Sequence, residues 1–162
     1  MAIIHIGIGS NLGDRESHCD RALEEMKARG IRITKVSSRY ETEPWGMREQ
    51  PNFINMAVEA ETDLSPEGLL AALKEIERTV GRRTTFLWGP RVIDLDILFY
   101  DDAIIDGACL RIPHPLLHTR SFVLLPLAEI APGKMHPVLR KTVGQLKEER
   151  KSDEDAERKE QI

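Results

Sequence analysis

Two stretches with helical apolar spacing, each closed by a glycine, interrupt four β-rich runs, and that alternation is the strongest constraint on the fold. Ile3 to Ile8 reads as a first strand bounded by Gly9, Ser10 and Asn11. Asp14 can cap a helix that puts Cys19, Ala22, Leu23 and Met26 on one face before Gly30 stops it. Ile31, Ile33 and Val36 lead a second strand, and Phe53 to Glu61 alternates as a third. Ser65-Pro66 joins a cap to a proline at the first helical position. Leu69, Leu70, Leu73, Ile76 and Val80 then form an apolar stripe, ended by Gly81. Arg91 to Tyr100 is a fourth strand, and Phe122 to Ile130 is an apolar segment of helical character. The order β-α-β-β-α-β predicts an α+β, ferredoxin-like domain with helices packed on the sheet.

Composition narrows the class further. A chain of 162 residues, 41% hydrophobic and 31% charged, has the balance of one globular domain. It carries 23 basic against 27 acidic side chains and 5% aromatics, so it offers neither a basic footprint nor a stacking platform for nucleic acid. Cys19 and Cys109 stand alone, which argues against a disulfide scaffold or a cysteine zinc site and for a reducing compartment. The opening MAIIHIGIGS lacks the basic lead and cleavage site of a signal peptide, and no apolar run approaches the roughly 20 residues that span a bilayer. A cytoplasmic location without membrane partners is expected. From Lys147 to Ile162, 12 of 16 residues are charged, so this stretch cannot bury a core face. A single working domain over 1–146, followed by a frayed helical or disordered extension over 147–162, is expected.

The strongest chemical signal is Arg91-Val92-Ile93-Asp94-Leu95-Asp96-Ile97-Leu98. Residues two apart in a strand share a face, with Cα atoms about 6.5–7 Å apart. Asp94 and Asp96 therefore aim two carboxylates at one patch, flanked by Val92 and Leu98, while Ile93, Leu95 and Ile97 face the other way. Adjacent carboxylates repel, and a divalent cation removes that conflict. Hard oxygen donors of this kind suit Mg²⁺, which takes one or two carboxylates plus substrate phosphates. Arginines crowd the same region: Arg82, Arg83, Arg91, and later Arg111 and Arg120. Guanidinium groups there could clamp phosphate oxygens and stabilise charge in transfer. Known phosphate loops are absent: Gly7 to Gly13 fits no dinucleotide fingerprint and reads as a strand-to-helix turn, and no G-x-x-x-x-G-K-[ST] occurs. Tyr40 to Pro51 is a long connection rich in turn residues, of the kind that forms lids and binding loops. It runs into Phe53 and Asn55, a ring beside an amide on one strand face, which could seat a flat, hydrogen-bonding heterocycle. His114, between two prolines, suits a phosphate or nucleotide contact better than a helical zinc pair with His118.

These pieces, taken in order, resemble a known family. Gly9-Ser10-Asn11-Leu12-Gly13-Asp14-Arg15 comes first, then Tyr40-Glu41-Thr42-Glu43-Pro44-Trp45-Gly46 and Gln50-Pro51 with Phe53 and Asn55. Trp88-Gly89-Pro90-Arg91 into Asp94-Leu95-Asp96 follows, then Pro113-His114-Pro115 with Arg120 and Phe122. Together they resemble the 6-hydroxymethyl-7,8-dihydropterin pyrophosphokinases of folate biosynthesis over roughly the first 137 residues. The resemblance implies a three-layer α/β/α, ferredoxin-like domain with a mainly antiparallel sheet. It implies transfer of a pyrophosphoryl group from ATP to the hydroxymethyl of a reduced pterin, leaving AMP. By the same resemblance, Asp94 and Asp96 hold two Mg²⁺ ions. Phe53 and Phe122 sandwich the pterin, Asn55 reads its polar edge, and Thr42, Glu43 and Trp45 complete that pocket. Lys74, Glu77, Arg82, Arg91, His114 and Arg120 face ATP. Arg82 and Arg91 are the expected charge-stabilising catalytic residues, and Asp96 is the candidate base. The chain departs from the common family pattern at Thr84, Leu87 and Cys109, where relatives often carry arginine, and at Pro115. A ligand sensor on the same fold would bind without releasing AMP, and a D-x-D nucleotidyl transferase would release pyrophosphate instead.

Overall fold

A computed structural model describes residues 1–42, 52–81 and 92–160, with backbone alone at Thr42 and 153–160. Local signals in the sequence start and stop its helices. Helix α1 (Arg15–Ala28) begins where the Asp14 side chain accepts the Ser17 N–H at 3.2 Å. Helix α2 (Pro66–Val80) begins where Ser65 accepts the Gly68 N–H at 3.0 Å. It ends at Gly81, whose φ of 117° lies in the left-handed region that glycine reaches without a Cβ penalty.

β1 (Ala2–Ser10) precedes α1, β2 (Ile31–Val36), a short β3 (Tyr40–Thr42) and β4 (Phe53–Thr62) lie between the helices, and β5 (Asp94–Tyr100) follows α2. They form one antiparallel sheet in the order β2-β4-β1-β5, with β3 also pairing β4 beyond the end of β2. This is the split βαβ arrangement expected from the element order. A separate two-stranded ribbon, β6 (Ile105–Asp106) and β7 (Arg111–Ile112), follows. Then come a 3₁₀ turn (Leu117–Thr119), helix α3 (Ser121–Ile130) and helix α4 (Val143–Glu160).

The sheet is the middle of three layers. On one face, Cys19, Ala22 and Met26 of α1 and Leu69, Leu73, Ile76 and Val80 of α2 pack on Ile4, Ile6, Ile8, Met56, Val58, Leu95 and Ile97. On the other, Leu124, Leu127 and Ile130 of α3 and Val143 and Leu146 of α4 pack on Ala57, Leu98 and Phe99. The second layer also encloses two histidines. His5 meets Phe99 edge-on at 5.8 Å, and its Nε2 donates to Glu59 Oε1 at 3.0 Å. His136 meets the same ring at 5.7 Å.

Several element boundaries differ from the sequence expectation. β1 runs through Gly9 to Ser10 because β4 pairs with it through Ser10 and β5 through Gly9, so the turn is confined to the residues after Ser10. β5 begins at Asp94 rather than Arg91, which lies outside the described residues. Val92, preceding the strand, therefore escapes the alternation and packs with the α1/α2 cluster instead of flanking the carboxylates. A register shift between His5 and Ile6 leaves Leu98 as the extra residue of β5 and keeps Phe99 on the α3 side. The charged extension is helical as far as Glu160, continuous with α4, and among the described side chains Leu146 is the last in the core.

Burial lowers the pKa of both His5 and His136, with Glu59 partly opposing that shift at His5. Each histidine is held neutral in the fold but protonates more readily in the unfolded chain, near pH 6.5. Their contribution to stability is fully present above that value and is lost as pH falls toward the folded pKa. Urea denaturation should show a midpoint that drops between pH 7 and pH 5, and the slope should flatten in the His5→Gln variant. An unchanged slope would mean His5 does not carry this pH dependence.

Candidate active site

The ladder register builds the site from two rows of residues across one face of the sheet. Tyr40 pairs with Asn55, Asn55 with Gly9, and Gly9 with Asp94. One step deeper, Ala57 pairs with Gly7 and Gly7 with Asp96. Directly paired residues point to the same face, so Asn55, Asp94 and Asp96 share it, together with Phe53, two residues before Asn55. Neighbouring strands are about 4.8 Å apart, which puts the amide and the carboxylates about 10 Å apart across the glycine strand.

Glycine at position 9 makes the floor of this face. A Cβ there would come 3.0 Å from Asn55 Oδ1, 3.6 Å from Phe53 Cδ1 and 3.9 Å from the Ile54 carbonyl. All three neighbours belong to β4 and none to the helical layer. The lack of a side chain leaves room for a ligand to lie directly on the backbone beside Asn55 and Phe53. The sequence reading ended the first strand before Gly9 and took the Gly7 to Gly13 segment as a strand-to-helix turn. Two glycines at alternate positions of a strand were the available signal for such a floor.

Charged groups arrive over the same face from the segment between β7 and α3. His114 is tied to β5 by its N–H, which donates to the Leu98 carbonyl at 3.1 Å. Its Nδ1 accepts the Leu116 N–H at 3.2 Å, so the neutral ring carries its proton on Nε2 as a donor. Burial pushes the His114 pKa down to about 4, the Arg120 cation adds to that, and Asp94 opposes it. Arg120 feels both carboxylates: burial lowers its pKa, while Asp96 and Asp94 pull it up. Its guanidinium lies 5.5 Å from the centre of the Phe122 ring, within cation–π range. Arg120, Phe122 and His114 are thus gathered at the end of the sheet that carries Asp94 and Asp96.

The expected ATP contacts on α2 are placed differently. Glu77 is buried, and its Oε2 accepts the Leu95 N–H at 2.9 Å. Leu95 lies between the two aspartates on the edge strand, so Glu77 holds the open side of β5 in register instead of standing free for a nucleotide. Lys74 is exposed on the same helix, which packs against the opposite face of the sheet. The structure does not bring it to the carboxylate face. Arg82, Arg91, Glu43 and Trp45 lie outside the described residues, as does the side chain of Thr42, whose backbone pairs with Phe53 in β3. Sequence reasoning also missed Arg15, whose Nη1 donates to Glu41 Oε1 at 3.0 Å and to the Asn52 carbonyl at 2.8 Å. That side chain ties the start of α1 to β3 and to the entry of β4.

The donor chemistry on this face fits a hard divalent cation. Asp94 and Asp96 are half-buried oxygen donors on one side of the strand, and no group of three or more His, Cys, Asp or Glu side chains suited to a metal occurs among the described residues. A cation held by two carboxylates and completed by water and phosphate oxygens is the Mg²⁺ pattern, not a closed zinc site.

Comparison with known proteins assigns the chain to a family. The pattern of the family described as 7,8-dihydro-6-hydroxymethylpterin-pyrophosphokinase (HPPK) matches residues 5–132. The chain belongs to this family. The HPPK of Aquifex aeolicus is 44% identical over 149 residues, covering 92% of each chain. That of Bacillus subtilis is 46% identical over 129 residues, or 79% of this chain and 77% of that one. A Dictyostelium discoideum folic acid synthesis protein is 43% identical over 90% of this chain, which spans only 22% of its length. Among solved structures, the wild-type Plasmodium falciparum HPPK-DHPS with pteroate superposes with a TM-score of 0.74 at 16% identity. That match covers 91% of this chain and 44% of the other, and it supports the HPPK fold alone.

Two measurements check this account. The ring protons of His114 should titrate near pH 4 in the ligand-free protein by NMR, and Arg120→Gln should move that midpoint up. Glu77→Ala should cost about 1–3 kcal/mol in urea denaturation, because it strands a buried N–H, while Glu77→Gln, which keeps an acceptor, should cost less.

Proposed function

We propose that ATP and a reduced pterin meet on the Asn55–Gly9–Asp94 row, with Asp94 and Asp96 holding two Mg²⁺ ions under the triphosphate. HPPK enzymes move a pyrophosphoryl group from ATP to the hydroxymethyl of 6-hydroxymethyl-7,8-dihydropterin, leaving AMP, in folate biosynthesis. This chain is an ATP-dependent pyrophosphokinase of that family. The observation that carries the site assignment is the register: one strand places a floor of glycine between an amide with its neighbouring ring and a pair of carboxylates.

Bound Mg²⁺ supplies charge neutralisation and orientation of the phosphates. The chain's own residues supply the rest. In this reading, Asn55 hydrogen-bonds the polar edge of the pterin, Phe53 and Phe122 flank its ring, and Gly9 lets the ring approach the backbone. Thr42, Glu43 and Trp45 close the pocket from the β3 side. Arg120 and the Nε2–H of neutral His114 donate to phosphate oxygens, and Arg82 and Arg91 add positive charge where it develops during transfer. In this proposal Asp96 accepts the proton lost by the attacking hydroxyl. In this reading Glu77 supports the ATP side through the β5 backbone, while Lys74 lies on the opposite face of the sheet and takes no part in it. No covalent enzyme intermediate is needed, because the hydroxyl attacks the β-phosphorus directly and AMP leaves. We also place the enzyme in the cytoplasm: no described helix is long and apolar enough to cross a membrane, and both cysteines are free thiols.

Incubation with ATP, Mg²⁺ and the pterin alcohol should release AMP, and only when all three are present. ADP as the nucleotide product would overturn the assignment. Asp94→Ala and Asp96→Ala should each lower turnover about 100-fold or more with an unchanged far-UV spectrum. Phe122→Ala should weaken pterin binding about tenfold, the scale of one ring–base stacking contact, and leave ATP binding largely intact.

A further inference from the structure

Helix α3 carries Phe122 in its first turn, and its other end is tied to the segment around β3. Glu129 Oε1 accepts the Tyr40 hydroxyl at 2.5 Å, and Glu129 Oε2 accepts the Ser38 N–H at 2.8 Å and the Ser38 hydroxyl at 3.2 Å. Lys35 Nζ reaches the Ile130 carbonyl at 3.5 Å. Ser37, next in line, exchanges two 2.9 Å hydrogen bonds with the Ala57 backbone of β4.

Tyr40 is also the β3 partner of Asn55. Glu129 lies seven residues after Phe122, two helical turns or about 10 Å along the axis and on nearly the same side of the helix. We propose that the Tyr40–Glu129 pair, with Ser38, is a positioning element for the pterin pocket. It fixes α3 against the strand pair that carries Asn55 and Phe53, and so sets the gap between Phe122 and Phe53. The inference rests on the reading of Phe53, Asn55 and Phe122 as the pterin site. Neither Tyr40 nor Glu129 touches substrate or phosphate in this reading, so neither is a catalytic residue.

The proposal separates from a general structural role by its selectivity. Glu129→Ala and Tyr40→Phe should raise the Kd and KM for the pterin alcohol about fivefold, the scale of coupling between connected residues. The Kd for Mg²⁺-bound ATP analogue and kcat should stay within twofold. Glu129→Gln, which keeps the acceptor oxygen, should restore most of the pterin affinity. In the Phe122→Ala background, Glu129→Ala should weaken pterin binding no further, because the group it positions is gone. Additive losses in that double variant, an unchanged pterin Kd in Glu129→Ala, or equal losses of pterin and ATP affinity with a lowered melting temperature would each overturn the proposal. The pocket reading fails separately: Phe122→Ala alone would then leave pterin affinity intact, while weaker binding in Phe122→Ala with normal binding in Glu129→Ala sinks only the positioning role.

Discussion

The site depends on a single strand, β1, being hydrogen-bonded on both sides. Gly9 pairs with Asn55 on one flank and with Asp94 on the other, and Gly7 pairs with Ala57 and Asp96. Antiparallel register is fixed to the residue, because a slip by one exchanges the faces of a strand. If β5 slipped by one against β1, both carboxylates would turn into the apolar layer beneath α2, and Leu95 and Ile97 would be exposed. The buried faces of Ile6, Ile8, Leu95 and Ile97 therefore enforce the position of the acids, and the chemistry inherits its geometry from the core on the opposite side of the sheet.

β5 is the edge of that sheet, and an edge strand has a row of backbone groups without a neighbouring strand. Glu77 covers that edge at Leu95, the residue between the two aspartates. A carboxylate reaching from α2 thus does for one side of β5 what β1 does for the other. The layer of α1 and α2 thus contributes to the candidate site, because it holds the strand whose opposite face carries the acids. Arg15 works similarly at the other end, where it spans Glu41 and the Asn52 carbonyl. The functional face is held at its margins by polar contacts and at its centre by the ladder.

Much of this was legible in the sequence because it was written locally. Asp14, Ser65-Pro66, Gly30 and Gly81 mark helix ends through their own side chains or φ preferences. The alternation in Phe53–Asn55 and Asp94–Asp96 places each pair on one face without knowledge of the rest. What the sequence could not convey depends on distant pairing. The end of β1 at Ser10 and the start of β5 at Asp94 are set by the partner strands, not by residue type. The displacement of Val92 and the extra residue at Leu98 follow from those limits. Glu77 stands next to Ile76 in the buried part of a helix, where position alone cannot tell a ligand contact from a backbone anchor. Tyr40 and Glu129 are 89 residues apart, and no short pattern links them.

The electrostatics of the face explain why a histidine and an arginine can share it with two acids. Arg120 is half-buried, where an isolated guanidinium is costly, and the Asp94 and Asp96 carboxylates offset that cost. The same cation, together with burial, keeps His114 neutral. A neutral imidazole with its proton on Nε2 can donate to an anionic oxygen without adding a second full charge that must be desolvated before substrate arrives. Before substrate binds, the acids and Arg120 compensate one another. That compensation lets a small domain hold several charges on a half-buried face without losing the fold around them.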